Sequence, residues 1–252
     1  MKLRHLLAAV FVIGMSAVCV RLGFWQLARL GEKQAMNVAL RGALAQPPVR
    51  INASPADVAA VRGRRVEVAG VYDERRQFLL SGRANAGSPG VSVVTPLVSQ
   101  DGTHAVLIER GWLYSDDAAR AHPERYPERG ARTVIGVAEP LLAGRGGPPL
   151  LAVRSDSAAL WSTRWLDGDS IAARVPYALA GFYVKQLPAA DVPPMPVRRV
   201  PAPYDEAMHL GYAIQWFVFA TILSVGSLVL VWSRRRRAGA EAPALPTGPR
   251  SE

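Results

Sequence analysis

The chain has 252 residues, 50% of them hydrophobic and 20% charged, with a formal net charge of +10. This apolar content excludes a disordered chain, and the length allows one core-forming domain with extra segments. A single cysteine, Cys19, excludes a disulfide framework, a CxxC redox pair and a thiolate metal cluster. The histidines have no ligand-like spacing such as HExxH, so we expect no metal site built from several histidines.

A first apolar segment follows the short basic N-terminus. Leu6–Val20 contains no charged residue, and after Arg21 the apolar pattern resumes to Leu27. A helix over residues 6–27, at about 1.5 Å per residue, covers about 30 Å, the thickness of a hydrocarbon core. The sequence therefore predicts a transmembrane helix, with Trp25 at the interface. A signal peptide is the alternative, although no convincing A-x-A cleavage site follows.

Residues 28–187 have the pattern of a β-rich domain. Short segments rich in Val, Ile, Tyr or Phe and bounded by turn residues predict strands at Arg65–Tyr72, Gln77–Ser81, Val91–Val98, Ala105–Leu113, Thr133–Ala138 and Gly181–Leu187. Gln100–Thr103 is a hairpin signal. Short helices are expected at Ser54–Val61, with Ser54 as N-cap, and after Asp116 or Asp169. We expect a mainly antiparallel β (α+β) domain with a few peripheral helices.

Two further segments look irregular. Gly144–Pro149 has the composition of a flexible loop. Pro188–Pro203 contains six prolines, which favour an extended, semi-rigid conformation. Residues 188–209 are therefore expected to be a proline-rich connector to the second apolar segment.

The second apolar segment, Leu210–Trp232, has 23 residues and no formal charge. It is long enough to span a bilayer, and Arg234–Arg237 follow it at once. The positive-inside rule then predicts that both termini, residues 1–5 and a basic, disordered tail at 233–252, are cytoplasmic. The fold class expected is a membrane protein in which two transmembrane helices flank an extracytoplasmic or periplasmic β domain.

The basic charge is concentrated beside the two apolar segments. The arginine cluster is cytoplasmic and juxtamembrane in this topology, where anionic lipid is the nearer partner. We therefore expect a lipid bilayer, and no nucleic acid, among the partners.

The second span carries the best candidate site. His209, Tyr212 and Trp216 lie on one face of a helix, and Gln215 is a further polar residue there. A neutral imidazole beside aromatic side chains could ligate haem iron and pack against a porphyrin. The alternative is that His209 caps the helix entrance while Tyr212 and Trp216 anchor it at the interface.

The first span ends in Gly23-Phe-Trp25-Gln26-Leu-Ala-Arg29. Gln26 is expected to hydrogen-bond across to the other span, because an unsatisfied amide in lipid is costly. Elsewhere there is no G-x-S-x-G elbow, P-loop or G-x-G-x-x-G, and no nucleophile–base set, so no enzymatic activity is expected.

Four stretches together resemble the surfeit locus protein 1 family of cytochrome c oxidase assembly factors. They are Gly23-Phe-Trp25-Gln26-Leu-Ala-Arg29 at the first span, the block from Gly70-Val-Tyr72-Asp73 to Thr95-Pro96-Leu97, Arg110-Gly111-Trp112, and His209-Leu-Gly-Tyr212-Ala-Ile-Gln215-Trp216-Phe217. They occur in the family's order, with two spans in the corresponding places, over about residues 20–233.

The resemblance implies a respiratory-chain function in a bacterial inner membrane. Family members assist maturation of subunit I of haem-copper oxidases, and bacterial members are thought to bind and deliver haem a. The proposed haem-iron ligand falls on His209, with Tyr212 and Trp216 beside the porphyrin. Partners would be subunit I and a haem a synthase.

Several alternatives remain open at this stage. Arg110 and Trp112 are candidate docking or propionate-pairing residues, or else a structural strand-to-loop corner. The whole protein could instead be a haem-free scaffold for the nascent subunit. A copper chaperone is disfavoured because soft ligands are missing, and no zinc site is expected.

Overall fold

A computed structural model describes residues 2–51, 58–144, 147, 149–153 and 159–240. The helices are α1 (Lys2–Ala45), α2 (Val58–Val61), α3 (Gly168–Ala172) and α4 (Ala207–Ala240), with a 3-10 turn at Pro123–Arg125. The strands are β1 (Val49–Ile51), β2 (Arg65–Tyr72), β3 (Arg76–Asn85), β4 (Ser88–Val98), β5 (His104–Tyr114), β6 (Ala131–Pro140), β7 (Leu151–Val153), β8 (Ala159–Thr163) and β9 (Ala178–Gln186). The chain divides into a helical unit, residues 1–38 and 203–252, and a sheet unit, residues 39–202.

The helical unit contains two helices that are long and apolar enough to cross a membrane, within Leu3–Ala45 and Ala207–Arg236. Both helices are longer than the spans that the sequence predicts at 6–27 and 210–232. The first continues to Ala45, and the second continues through the arginine run to Ala240. Residues 233–240, which were expected to be disordered, are therefore helical, and residues 241–252 lie outside the described part of the chain.

Small and polar side chains form the contact between α1 and α4 in the helical unit. Cys19 on α1 and Ala213 and Ala220 on α4 are buried, as their small size allows close approach. In the same contact between the two helices, Ser224 Oγ of α4 donates to Ser16 Oγ of α1 at 3.2 Å. Buried positions recur along each helix with the helical repeat. The other apolar side chains of α1 and α4 therefore point away from the contact between the two helices.

A buried asparagine fixes the entry to α4. Asn37 is 1% exposed. Its amide Nδ2 donates to the Tyr204 carbonyl at 3.0 Å and to Glu206 Oε1 at 2.8 Å, while its Oδ1 accepts from the Tyr204 backbone N–H at 2.8 Å. The amide is thus satisfied at both ends, which ties the residues just before α4 to α1.

The sheet unit is built on nine strands in the order β1-β2-β6-β9-β5-β4-β3-β8-β7. An additional antiparallel pairing of β2 with β4 closes β2, β6, β9, β5 and β4 into a barrel. Three pairings are parallel, β1–β2, β3–β8 and β5–β9, and the others are antiparallel. The expected mainly antiparallel sheet domain is confirmed, and β4 and β5 form the hairpin that Gln100–Thr103 predicts.

The barrel interior follows from the two-residue period of its strands. Inward side chains alternate along each strand and form one apolar cluster, which includes Val66, Val68, Leu97, Val106, Ile108, Val134, Phe182 and Val184. A second cluster around Phe78 and Leu107 packs outside the barrel under α3. Burying these side chains is the main stabilising contribution to the unit.

The peripheral helices agree only in part with the sequence prediction. Only Val58–Val61 of the first is described, and its predicted cap at Ser54 lies outside the described residues. Asp167 caps α3 by accepting from the Ser170 N–H at 3.0 Å. The helix expected after Asp116 is absent from this described stretch, because the Asp117 carboxylate accepts the next N–H groups in a turn instead.

Candidate functional site

The two span motifs meet at a hydrogen bond between His209 and Gln26. His209 Nδ1 lies 2.9 Å from Gln26 Oε1, and the Gln26 side chain is almost fully buried. An amide oxygen only accepts, so Nδ1 carries the proton and donates it. The imidazole then has its lone pair on Nε2, and this nitrogen is the one that can bind iron. The predicted bond from Gln26 across to the other helix is confirmed.

A glycine next to this pair allows close contact between the helices. A Cβ at Gly23 would lie 2.7 Å from the Phe217 ring. The same ring meets Phe24 edge to face, with centroids 5.4 Å apart. Gly23 lies about one helical turn from Gln26, and Phe217 about two turns from His209, and their contact sets the spacing of the helices there. We call these four residues the helix-pair site.

The other motif residues of the two helices are more exposed. Tyr212 is 48% exposed. Trp216 is half-buried and meets Phe219 edge to face at 6.0 Å. Gln215 is exposed, in contrast to the buried Gln26. The roles of Tyr212 and Trp216 beside a porphyrin stay predictions.

Trp25 and Arg29 form an outward-facing pair on α1. Trp25 is 52% exposed, and the Arg29 guanidinium lies 5.9 Å from the centre of its ring. Arg29 also bonds Glu32 at 2.7 Å one turn on. The first motif thus separates into Gly23 and Gln26, which face α4, and Trp25 and Arg29, which do not.

In the sheet unit, Arg110 belongs to a buried ion cluster. Its Nε and Nη2 donate to Glu128 Oε1 at 3.0 and 2.8 Å, and its Nη2 also donates to the Tyr126 carbonyl. Arg132 donates to Glu128 Oε2 at 2.7 Å, and Arg198 also pairs with Glu128. We call Arg110, Glu128, Arg132 and Arg198 the barrel-end cluster, because Arg110 follows the inward-facing residues of β5.

The burial of Arg110 decides between its two predicted roles. The side chain has no exposed surface, so it cannot itself contact a partner or a propionate. A structural role is the one that this geometry supports, and the docking role does not fit. Arg110, Gly111 and Trp112 lie within β5 rather than at the predicted strand-to-loop corner. Trp112 is 7% exposed and borders a surface cavity.

The proline-rich segment, predicted to be an extended and semi-rigid connector, packs on the sheet unit up to residue 202. Val197 exchanges two backbone hydrogen bonds with Trp112, at 2.9 and 2.8 Å. Arg198 reaches Glu128 and also donates to the Pro193 and Pro196 carbonyls. The segment is held by these polar contacts, which its proline content alone does not reveal.

Gly111 makes this packing possible. Its φ is +144°, and a Cβ there would lie 2.6 Å from the Val197 carbonyl oxygen. We expect Gly111→Ala to lower the free energy of unfolding by about 1–3 kcal/mol, because alanine strains the backbone and displaces the proline-rich segment at Val197. Chemical denaturation of the full-length protein in detergent checks this. Gly102→Ala, at a positive φ with open space, is the control for backbone strain alone; equal losses in both variants would contradict a steric role for Gly111.

The barrel-end cluster makes stability depend on pH. Burial alone would raise the pKa of the Glu128 carboxyl, but the guanidinium groups of Arg110 and Arg198 outweigh burial and hold that pKa below its ordinary value of 4.5. The resulting stabilisation is present above the unfolded-state pKa and is lost as the pH falls through the lower folded-state pKa.

We therefore expect the difference in unfolding free energy between wild type and Glu128→Gln to shrink as the pH falls from about 6 to about 3. Denaturant titrations of both proteins across this range provide the measurement. A difference that stays constant over the whole range would show that Glu128 does not stabilise the fold through its charge.

Several partners of the motif residues were not found from the sequence. Phe217 is the last residue of the second span motif, yet its contact with Gly23 has no sequence signal. Asn37, Glu128 and Arg198 belong to none of the motifs, and the pairings of Asn37 with Tyr204 and of Arg198 with Glu128 span 167 and 70 residues. Among the described residues, no group of three or more histidine, cysteine or carboxylate side chains could hold a metal ion.

The comparisons with known proteins agree with these motifs. The SURF1 family model matches residues 13–221. A SURF1-like protein of Rickettsia felis is 26% identical over 218 residues, covering 82% of this chain and 89% of its own length. Surfeit locus protein 1 of Arabidopsis thaliana is 32% identical over 109 residues, covering 38% of this chain and 31% of its own. The chain therefore belongs to the SURF1 family, known broadly as oxidase assembly factors.

Proposed function

We propose that this protein binds haem a in the membrane and assists its insertion into subunit I of a haem-copper cytochrome c oxidase. The observation that carries the proposal is the hydrogen bond of His209 Nδ1 to Gln26 Oε1. It orients one imidazole, in the tautomer that leaves Nε2 able to bind iron, on a helix that can span a membrane.

The surfaces of α1 and α4 support a membrane location. Large apolar side chains point outward along both helices, among them Phe11, Ile13, Ile222 and Leu228, each at least 60% exposed. A surface this apolar is costly in water and stable in lipid. The arginine run Arg234–Arg237 near the end of α4 then favours cytoplasmic termini, an extracytoplasmic sheet unit and, given the bacterial relatives, the inner membrane.

The helix-pair site offers an imidazole nitrogen, that of His209, which is a suitable ligand for haem iron. Haem iron accepts a neutral imidazole nitrogen as an axial ligand. Gln26 fixes the ring of His209, and the buried Gly23–Phe217 contact fixes the helix that carries it. Tyr212 and Trp216 lie along the same side of α4 and supply aromatic surface for a porphyrin.

Each of these side chains has a simple binding role in the proposal, and none performs bond chemistry. His209 would bind iron, Gln26 would accept the hydrogen bond from its Nδ1–H, and Tyr212 and Trp216 would exclude water from the macrocycle. A single axial ligand suits a carrier, because the haem must leave. The proposal therefore assigns no enzymatic activity, and it names subunit I as recipient and a haem a synthase as donor.

A haem-free scaffold is the second candidate, because the closed barrel gives the sheet unit a rigid surface for holding a subunit. The two candidates differ in what His209 does. In the scaffold, His209 serves only to pair the two helices through Gln26.

The test is complementation of cells that lack this protein, with the haem a content per subunit I as the readout. We expect His209→Ala to leave subunit I deficient in haem a even at wild-type amounts of the variant in the membrane. His122→Ala is the matched control, since His122 is an exposed histidine of the sheet unit paired with Glu124. Full restoration by His209→Ala would reject the carrier and leave the scaffold.

A further inference from the structure

The sheet unit contains a surface cavity of about 430 Å³ that neither the helix-pair site nor the barrel-end cluster uses. It lies over β3, β4, β5 and β9, and residues 197–202 of the proline-rich segment form one wall. Trp112 and Tyr183 contribute aromatic surface. The cavity therefore combines a rigid floor of strands with apolar and aromatic sides, as small-ligand sites do.

Positive charge predominates among the lining residues. Arg83, Lys185 and Arg199 come from three different segments, against one lining carboxylate, Glu109. Lys185 also lies 3.6 Å from Glu139, which partly neutralises it. With Lys185 paired in this way, the two guanidinium charges of Arg83 and Arg199 face the single carboxylate charge of Glu109.

Both arginines are held by neutral acceptors only. Arg199 Nη1 donates to the Ala84 carbonyl at 3.1 Å and to the Asn85 side chain at 3.3 Å. Arg83 Nη2 reaches the Arg164 carbonyl at 3.5 Å. Within the described part of the chain, neither guanidinium forms an ion pair. Both side chains are exposed, each is oriented by a backbone carbonyl, and neither is paired with a carboxylate.

Neighbouring groups offer further hydrogen-bond donors. Burial raises the pKa of Tyr183, so its hydroxyl stays protonated. Burial would lower the pKa of Lys185, but Tyr183, Glu139 and Glu109 raise it, so the ammonium stays charged. A doubly charged oxyanion could therefore receive guanidinium, ammonium and hydroxyl donors from one cavity.

We propose that this cavity binds a phosphate monoester, either a soluble one or the headgroup of a lipid, between Arg83 and Arg199. A phosphomonoester carries a charge of about −1.5 to −2 at neutral pH, which suits two guanidinium groups that have no ion-pair partner. A monocarboxylate would leave one of them unmatched. The site is independent of haem binding, and the fork of each arginine suits phosphate oxygens.

The experiment measures binding of phenyl phosphate to the full-length protein in detergent by calorimetry, with phenylacetate as the carboxylate comparison. We expect phenyl phosphate to bind at least about ten times more tightly than phenylacetate, since a second guanidinium is engaged. Arg83→Gln and Arg199→Gln should each weaken phenyl phosphate binding by about tenfold or more. Arg50→Gln is the matched control, because Arg50 is an exposed arginine elsewhere in the sheet unit.

A second arm tests the lipid source. Protein in maltoside micelles doped with phosphatidate or with phosphatidylcholine is repurified, and the retained lipid is quantified. Retention of phosphatidate that is lost in the Arg83→Gln/Arg199→Gln protein assigns the site to a lipid headgroup; binding of phenyl phosphate alone assigns it to a soluble ligand. If neither probe shows binding that depends on Arg83 and Arg199, or if phenylacetate binds equally well, the proposal is wrong.

Discussion

Replacing Arg110 by alanine is expected to lower the free energy of unfolding by about 3–5 kcal/mol, the largest stability change we predict for a single residue. The substitution leaves the Glu128 carboxylate buried with fewer partners, and it removes the hydrogen bond to the Tyr126 carbonyl. Denaturant unfolding of the full-length protein in detergent measures the change.

Arg120→Ala is the control for this prediction. Arg120 is an arginine of the same unit that pairs with Asp117, but its side chain is 79% exposed, so its loss should cost about 1 kcal/mol or less. Similar small losses in both variants would show that the barrel-end cluster does not stabilise the fold. Should Arg110→Ala fail to accumulate, Arg110→Lys, which keeps the charge but not the fork, provides an intermediate value.

Replacing Gln26 by leucine is expected to weaken haem a binding by about 10- to 100-fold. Leucine cannot accept the Nδ1 proton of His209, so the imidazole loses both its orientation and its fixed tautomer. Titration of the purified protein with haem a, followed by absorption, measures the affinity.

Two further variants separate a positioning role of Gln26 from a merely structural one. Gln26→Glu keeps an acceptor oxygen and should retain most of the affinity. Gln215→Leu removes a similar amide from an exposed position of α4 and should have little effect. Equal haem affinity in Gln26→Leu and wild type would mean that the bond to His209 does not prepare a haem ligand.

Most of the sheet unit could be predicted because its strands carry local signals. Arg65–Tyr72 was bounded correctly, since its valines alternate with polar and small residues between turns. Barrel closure through β2 and β4 could not be predicted, because it rests on the Val71–Val98 and Tyr72–Leu97 pairings, which have no local pattern. The sequence does not predict that α1 continues to Ala45. The prediction rests on apolar residues, and the residues after Leu27 include many polar ones.

The candidate site shows the same division. His209 and Gln26 can be identified from the sequence because they are polar residues at or in the two apolar segments, where polar residues are rare. Arg110 is visible as part of a motif, but its burial depends on Glu128, 18 residues further on, and on Arg198, which reaches Glu128 across 70 residues. A motif therefore identifies the residue, whereas only the fold decides whether it contacts a partner or the core.

The proposed function requires His209 to bind the iron of haem a. The absorption spectrum of the detergent-purified protein, co-expressed with the haem a biosynthetic enzymes, is compared with that of His209→Ala to test this requirement. We expect a haem a spectrum in the wild type and its loss or shift in the variant. If both proteins purify folded and colourless despite abundant haem a, or if both carry the same spectrum, the claim is contradicted.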